Sequence, residues 1–198
     1  MSRSFSENNG VKFSRHFGMA SKDTFDCKPI KDFVRKYIEE SEISIDPFAR
    51  NKEWATYTND LNPDTKAEFH MKAVDFLNTL ITRGVKADLV IFDPPYSMEQ
   101  CKRSYERYGY KFTYEDSLYV IRWTREKNLI TDVLNVGGIF LHFGWHTNGM
   151  GFKRGCKLEE LMIVHHGGSK YDTLCLAERK MNHQRKFPFK ERRDDIAT

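Results

Sequence analysis

The run Ala87-Asp88-Leu89-Val90-Ile91-Phe92 passes at once into Asp93-Pro94-Pro95-Tyr96, and this junction constrains the fold more than any other stretch. A short, continuous apolar run bounded by strand-breaking residues reads as a buried strand of a parallel sheet. Two consecutive prolines cannot continue it, since each lacks an N–H and holds φ at about −65°. The chain must turn out at the strand's carboxyl end, where open α/β sheets place their ligand sites. An acid, a stiff carbonyl-bearing corner and an aromatic ring therefore arrive together at that edge.

The trio suits one kind of chemistry. The exocyclic amine of a nucleobase is a poor nucleophile because its lone pair is delocalised into the ring. A carboxylate and a backbone carbonyl, each accepting one N–H, would hold the nitrogen pyramidal, and the aromatic ring would stack on the flat base. The competing explanation is a proline-rich strand exit with an incidental acid. Two further runs bear on the choice. Ile43-Ser44-Ile45-Asp46-Pro47-Phe48 ends in Asp-Pro-Phe, and Ala55-Thr56-Tyr57-Thr58-Asn59-Asp60 is strand-like and again ends in an acid. Three acids at strand exits would line one sheet edge with carboxylates, suited to the amine and ribose hydroxyls of an adenosyl group.

The remaining pattern alternates helices with strands. Lys31 to Ser41 reads as a helix with Phe33, Tyr37 and Ile38 on one face, and Lys66 to Gly84 mainly as a second, with Gly84 as its stop. Ser97 to Tyr110 and Glu115 to Leu134 are further helical stretches. Ile139 to Phe143 is a buried strand with a glycine-rich exit from Gly144 to Gly151. Leu158 to His166 and Asp172 to Glu178 read as two strands joined by Gly167-Gly168-Ser169-Lys170, an antiparallel ending to the sheet.

This ordered set resembles the DPPY-type adenine-specific DNA methyltransferases, most of all the short, solitary ones of bacteriophages and other mobile elements. The residues that carry the likeness are Phe25 to Ile30, Asp46-Pro47-Phe48-Ala49, Thr58-Asn59-Asp60, His70 to Leu77, Asp93 to Ser97, Gly137-Gly138 to Gly151, and Leu158 to Lys180. The resemblance implies an α/β, Rossmann-like S-adenosylmethionine-dependent methyltransferase fold: a mostly parallel sheet with an antiparallel terminal strand and helices on both faces. It implies that Asp93, Pro94, Pro95 and Tyr96 handle the target base. Phe25, Lys28, Pro29 and Ile30 would border the cofactor's methionine end. Asp46 and Phe48 would lie at its amino-acid moiety and adenine, Asp60 at the ribose hydroxyls and Asp75 near the adenine amine, with Pro47 and Asn59 also in the cofactor site. One departure stands out. Larger relatives follow Asp-Pro-Phe with a glycine-rich turn, whereas this chain reads Ala49-Arg50-Asn51, a change that could weaken cofactor binding.

Composition sets looser bounds. The 198 residues suit one domain, and their net charge of +4 is unevenly spread. Lys102, Arg103 and Arg107 follow the proline corner on a predicted helix, and with Ser97 they are candidates for phosphate contact. Trp145 and His146, on the loop after the neighbouring strand, are candidates for holding a flipped base. Arg185, Lys186, Lys190, Arg192 and Arg193, interleaved with Phe187 and Phe189, form a basic tail over 182–198. Residues 1–22, polar and rich in Ser and Asn, read as a flexible tail, which leaves 23–181 as the catalytic domain. No apolar run is long enough to cross a membrane, and no signal-peptide centre appears. The four cysteines lack metal or disulfide spacing, and His165-His166 point to opposite faces of a strand, so no metal is expected.

The expected activity is thus N6-methylation of adenine in DNA. Specificity would be short or relaxed, because no segment is long enough for a target-recognition region, or else be supplied by a homodimer or a partner protein. The expected location is the cytoplasm, of a bacterial host if phage-encoded. RNA methylation, a catalytically inactive binding module and, last, protein-glutamine methylation are the alternatives.

Overall fold

The computed structural model describes residues 3–8, 10–120, 122–168 and 170–182. Along the chain, β1 (Arg3–Asn8) and β2 (Val11–Phe17) lead through a 3-10 turn at Thr24–Asp26 into α1 (Lys28–Ile38). Then come β3 (Ser44–Asp46), β4 (Tyr57–Thr58), α2 (Ala73–Thr82), β5 (Ala87–Phe92) and α3 (Met98–Arg107). The order continues with α4 (Tyr114–Tyr119), α5 (Thr124–Val133), β6 (Leu134–Gly144), β7 (Cys156–His165) and β8 (Thr173–Lys180).

All the strands join one eight-stranded sheet in the order β1-β2-β7-β8-β6-β5-β3-β4. β4, β3, β5 and β6 run parallel to one another, as β2 does to β7, while β8 is antiparallel to both β6 and β7. The apolar run of β5 is central and covered on both faces. Val90 and Phe92 pack with Phe76, Leu77 and Leu80 of α2 and Ile130 and Val133 of α5. Leu89 and Ile91 pack with Ile30, Phe33 and Val34 of α1 and with Phe143 of β6. Two-sided burial is what an unbroken apolar run requires.

Local chemistry explains the helix starts. Pro29 sits in the first turn of α1, where no N–H is needed, and Ile30, Phe33, Val34 and Tyr37 give it a buried stripe. Ser97 caps α3 by accepting from the Gln100 N–H at 3.2 Å.

Four features differ from the sequence expectation. Residues 11–17 are not a loose tail: they form β2 in ladder with β7, and the Gly18 N–H extends that ladder to the His165 carbonyl at 3.1 Å. The stretch expected as helix from Lys66 becomes helical only at Ala73. The helix expected from Glu115 to Leu134 is broken in two, because Trp123 adopts a left-handed φ of 50° between α4 and α5. The hairpin of β7 and β8 does not end the sheet either, since β2 and β1 extend it. The basic residues from Arg185 onward lie outside the described residues.

Gly18 tests whether this N-terminal strand belongs to the fold. A Cβ there would come within 2.5 Å of the Cys27 sulfur and 3.2 Å of Val164. Gly18→Ala is expected to destabilise the protein by roughly 1–3 kcal/mol through overpacking. Urea unfolding measures it, and an unchanged midpoint would mean that residues 11–18 are not docked.

Candidate active site

The carboxyl ends of β3, β4 and β5 open into a cleft of about 1340 Å³. Asp93 forms part of its lining, although only 6% of the residue is exposed. The double proline removes two successive N–H donors, and the next amide, that of Tyr96, donates to Gln100 Oε1 at 2.8 Å in the first turn of α3. The corner is thereby tied to the helix that follows. The Tyr96 hydroxyl returns to donate to Asp93 Oδ1 at 2.6 Å, and Thr24 Oγ1 lies 3.2 Å from the same hydroxyl. Burial pushes the Asp93 carboxyl above its ordinary range. The Tyr96 hydroxyl, the Arg50 charge and Thr24 pull it back only in part.

Asp46, at the exit of β3, is buried as well. Its Oδ1 accepts the Phe48 N–H at 2.9 Å, closing the Asp-Pro-Phe turn. Desolvation drives its carboxyl well above the ordinary value, and repulsion from Asp93, Asp60 and Asp23 adds to the rise. Asp60, at the exit of β4, accepts the Arg50 N–H at 3.0 Å and the Asn62 N–H at 2.8 Å. The Asn59 side chain is committed to backbone: it donates to the Pro47 and Met71 carbonyls and accepts the Met71 N–H. It thus holds β4 against the approach to α2.

The Ala49-Arg50-Asn51 departure is visible in the backbone. Arg50 has φ 52°, the left-handed conformation that glycine adopts freely, at a strain of roughly 1–2 kcal/mol for any other residue. The turn therefore keeps a glycine-like course without glycine. Asp60 receives its amide, and the Arg50 guanidinium donates to the Lys22 carbonyl at 2.7 Å.

Several predicted residues meet in this cleft: Asp93, Pro94, Pro95, Tyr96, Pro47, Phe48, Asn59, Asp60, Ile30 and Trp145 all line it, with Asp46 directly beneath at the Asp-Pro-Phe turn. Others do not. Phe25 is a core residue packed on Trp54 and Phe143. Lys28 is exposed and paired with Asp32, and Pro29 lies outside the cleft, half-buried beside Gly18. Asp75 is exposed on α2, because Ala73, Phe76, Leu77 and Leu80 claim the buried face. Ser97 is spent as a helix cap. Lys102, Arg103 and Arg107 are exposed on α3, whose cleft-lining residues are Gln100, Cys101, Ser104 and Tyr105, followed by Tyr108 at its C-cap. His146 is exposed and outside the lining.

The cations among the described residues that do line the cleft are Lys22, Arg50, Lys72 and Lys170, to none of which the sequence assigns a binding role. Thr24, Gln100, Trp123 and Tyr171 were missed likewise. The left-handed break at Trp123, which a continuous helix would lack, accompanies its place in the cleft lining.

The loop that presents Trp145 is fixed from behind. Glu178 accepts the Met150 and Gly151 N–H groups at 2.5 and 2.9 Å, and the buried Lys127 ammonium donates to the Asn148 carbonyl. Burial, with the nearby Arg154 charge, lowers Lys127 to about 8. Among the described residues no group of three or more His, Cys, Asp or Glu could hold a metal ion, and no helix is long and apolar enough to cross a membrane.

The architecture is that of Rossmann-like S-adenosylmethionine-dependent methyltransferases. NSun6 from Pyrococcus horikoshii, solved with SFG, aligns with a TM-score of 0.50 at 15% identity, over 75% of this chain and 50% of its own. TrmN from Thermus thermophilus aligns with a TM-score of 0.51 at 12% identity, over 78% of this chain and 49% of its own. A SAM-dependent methyltransferase from Agrobacterium tumefaciens gives 0.50 at 11% identity, over 90% of this chain and 70% of its own. The chain spans about half the length of the first two. No protein-family profile matches it, and no curated protein matches it in sequence.

Asp46 yields a test with a defined sign. Its folded pKa lies above the ordinary 3.8, so the folded state holds the proton more tightly. Stability is therefore lost as pH rises from the ordinary carboxylate value through the raised one. Asp46→Asn keeps an acceptor for the Phe48 N–H and removes this loss. The variant is expected to melt higher than the wild type at neutral pH, with the gain shrinking as pH falls towards 4. Calorimetric scans across that range measure it; a lower melting temperature at pH 7 would contradict the assignment.

Proposed function

We propose that the chain is an S-adenosylmethionine-dependent methyltransferase acting on the exocyclic N6 amine of adenine in DNA, with short or relaxed sequence specificity. The observation that carries this reading is the desolvated carboxylate of Asp93 at a proline corner, opening on a cleft, in a methyltransferase fold. The residues present fit the cofactor. Asp46 is a buried carboxylate with no cation paired to it among the described residues and would take the methionine ammonium, Phe48 offers a ring for the adenine, and the remaining lone pairs of Asp60 suit ribose hydroxyls.

The chain's own contribution is to hold an amine. Asp93 would accept one N–H of the flipped base and the Pro94 carbonyl, stripped of flexibility by its ring, the other. Accepting both keeps the nitrogen lone pair out of conjugation and directed into the cleft. When bound, the cofactor supplies a sulfonium methyl group, which passes to the nitrogen as the S–C bond breaks and the N–C bond forms. The surplus proton leaves the nitrogen for Asp93, whose raised pKa suits it as a transient acceptor, and then for water. Positioning and exclusion of water provide most of the acceleration.

A metal is not needed for this chemistry. Within this cleft the flipped base itself would be the main recognition element. The same chemistry on RNA is the alternative, because the pocket would enclose a base and not its sugar; competition between DNA and RNA oligonucleotides separates the two. The proposed setting is the cytoplasm.

Nucleoside mass spectrometry of DNA incubated with the protein and S-adenosylmethionine is expected to detect N6-methyladenine. Asp93→Ala should lower its formation by roughly 10²–10³-fold or more. No methylated adenine with the unmutated protein would sink the reading. The Tyr96 hydroxyl favours the ionised form of Asp93, so Tyr96→Phe should raise the Asp93 pKa. The acid limb of kcat against pH is then expected to move to higher pH. An acid limb at the same or lower pH would contradict that role.

A further inference from the structure

Above the floor of the cleft, the wall on the β8 side carries a row of aromatic rings whose outer end is bare. Tyr96 meets Trp145 edge-on, with ring centroids 5.5 Å apart at 72°, and Trp145 lies 4.8 Å from Tyr171 at 48°. Tyr171 is 72% exposed in the turn between β7 and β8, and the exposed Lys170 stands beside it. All four residues line the same cleft. The supports of this row are internal to the fold. Glu178 and Lys127 anchor the loop after Trp145, and at the other side His166 Nδ1 donates to the Gly18 carbonyl at 2.7 Å while its Nε2 lies 2.8 Å from Thr173 Oγ1. A tyrosine ring braced on one side and open on the other gains little from burial in the protein. It does present a fixed, flat, apolar face next to a cation.

We propose that Tyr171, Trp145 and Lys170 bind the unpaired nucleotide beside the target base, and that the preferred substrate is therefore single-stranded. The inference rests on the nucleic-acid reading above and deepens it. In a duplex the neighbour of a flipped base stays stacked within its own helix. An unpaired neighbour exchanges base–base stacking for base–aromatic stacking at little cost, in a sequence-tolerant way. Lys170 meets its phosphate, a role the exposed cations of α3 do not fill, because they point away from the cleft. Tyr96 then serves the target, and Tyr171 the next base along the strand.

The test uses the full chain and an adenine-containing DNA strand, free or annealed to its complement. Binding is read by anisotropy, and stacking by the quenching of a 2-aminopurine placed beside the target. The wild type is expected to bind the free strand more tightly and to quench the probe. Tyr171→Ala should weaken free-strand binding roughly 5- to 100-fold and abolish quenching, and Tyr171→Trp should retain both. Lys170→Ala should lower the slope of log affinity against log salt by about 0.7. Melting temperatures of the variants exclude misfolding. Unchanged free-strand affinity in a folded Tyr171→Ala protein overturns the site. Methylation of duplex adenine as efficient as that of the free strand also overturns it, while methyl transfer itself survives. A protein that neither binds nor methylates any nucleic acid removes the functional reading and this site together.

Discussion

Two carboxylates, Asp46 and Asp93, are removed from water at the exits of adjacent parallel strands, and the rest of the site is arranged around that desolvation. Among the described residues no lysine or arginine is hydrogen-bonded to either. Asp46 accepts the Phe48 amide and Asp93 the Tyr96 hydroxyl, and the charges that act most strongly on Asp46 are other acids. A buried carboxylate in this condition is poorly compensated, and folds keep such groups chiefly where a ligand completes them. The central sheet makes the arrangement affordable, since β3 and β5 pack on both faces and hold their exits rigidly.

The same logic accounts for Arg50. Its left-handed backbone keeps the turn after Asp-Pro-Phe tight, its amide engages Asp60, and its charge reaches towards Asp93. An arginine there gives up the freedom of glycine and adds a cation at the lip of an acidic pocket. The turn therefore differs from a glycine-rich one in electrostatics more than in course. The Thr24–Tyr96–Asp93 chain has a comparable role, for it locks the aromatic ring and the acid of the corner to the 3-10 turn that precedes α1.

Sequence reasoning was most informative where one force dominated. The β5 run and its proline exit were legible because two-sided burial demands unbroken apolarity, and proline ends a ladder. The β7 and β8 hairpin was legible from its Gly-Gly turn. The failures share a cause in interactions that leave no periodic trace. β2 is held by its backbone ladder to β7, and most of its side chains are only partly buried, so its sequence looks like tail. The break at Trp123 is a single left-handed residue within helix-permissive sequence. Asp75 and the cations of α3 lay at the right places along the chain, but their helices turn them outward, a rotation fixed by which neighbours fill the core. Asn59 was read as a cofactor residue, whereas its side chain stitches backbone. The rim at Tyr171 and Lys170 arises from a hairpin that folds back over a strand exit far away in sequence, which no local pattern encodes.

Titration calorimetry of S-adenosylmethionine, run in two buffers of different ionisation enthalpy, tests most directly whether these carboxylates await a cation. The account predicts stoichiometric binding with release of a proton below neutral pH, because a bound ammonium draws Asp46 into its charged form, and Asp46→Ala should lose both the proton release and most of the affinity. No binding at millimolar cofactor, or binding that Asp46→Ala leaves unchanged, would contradict it.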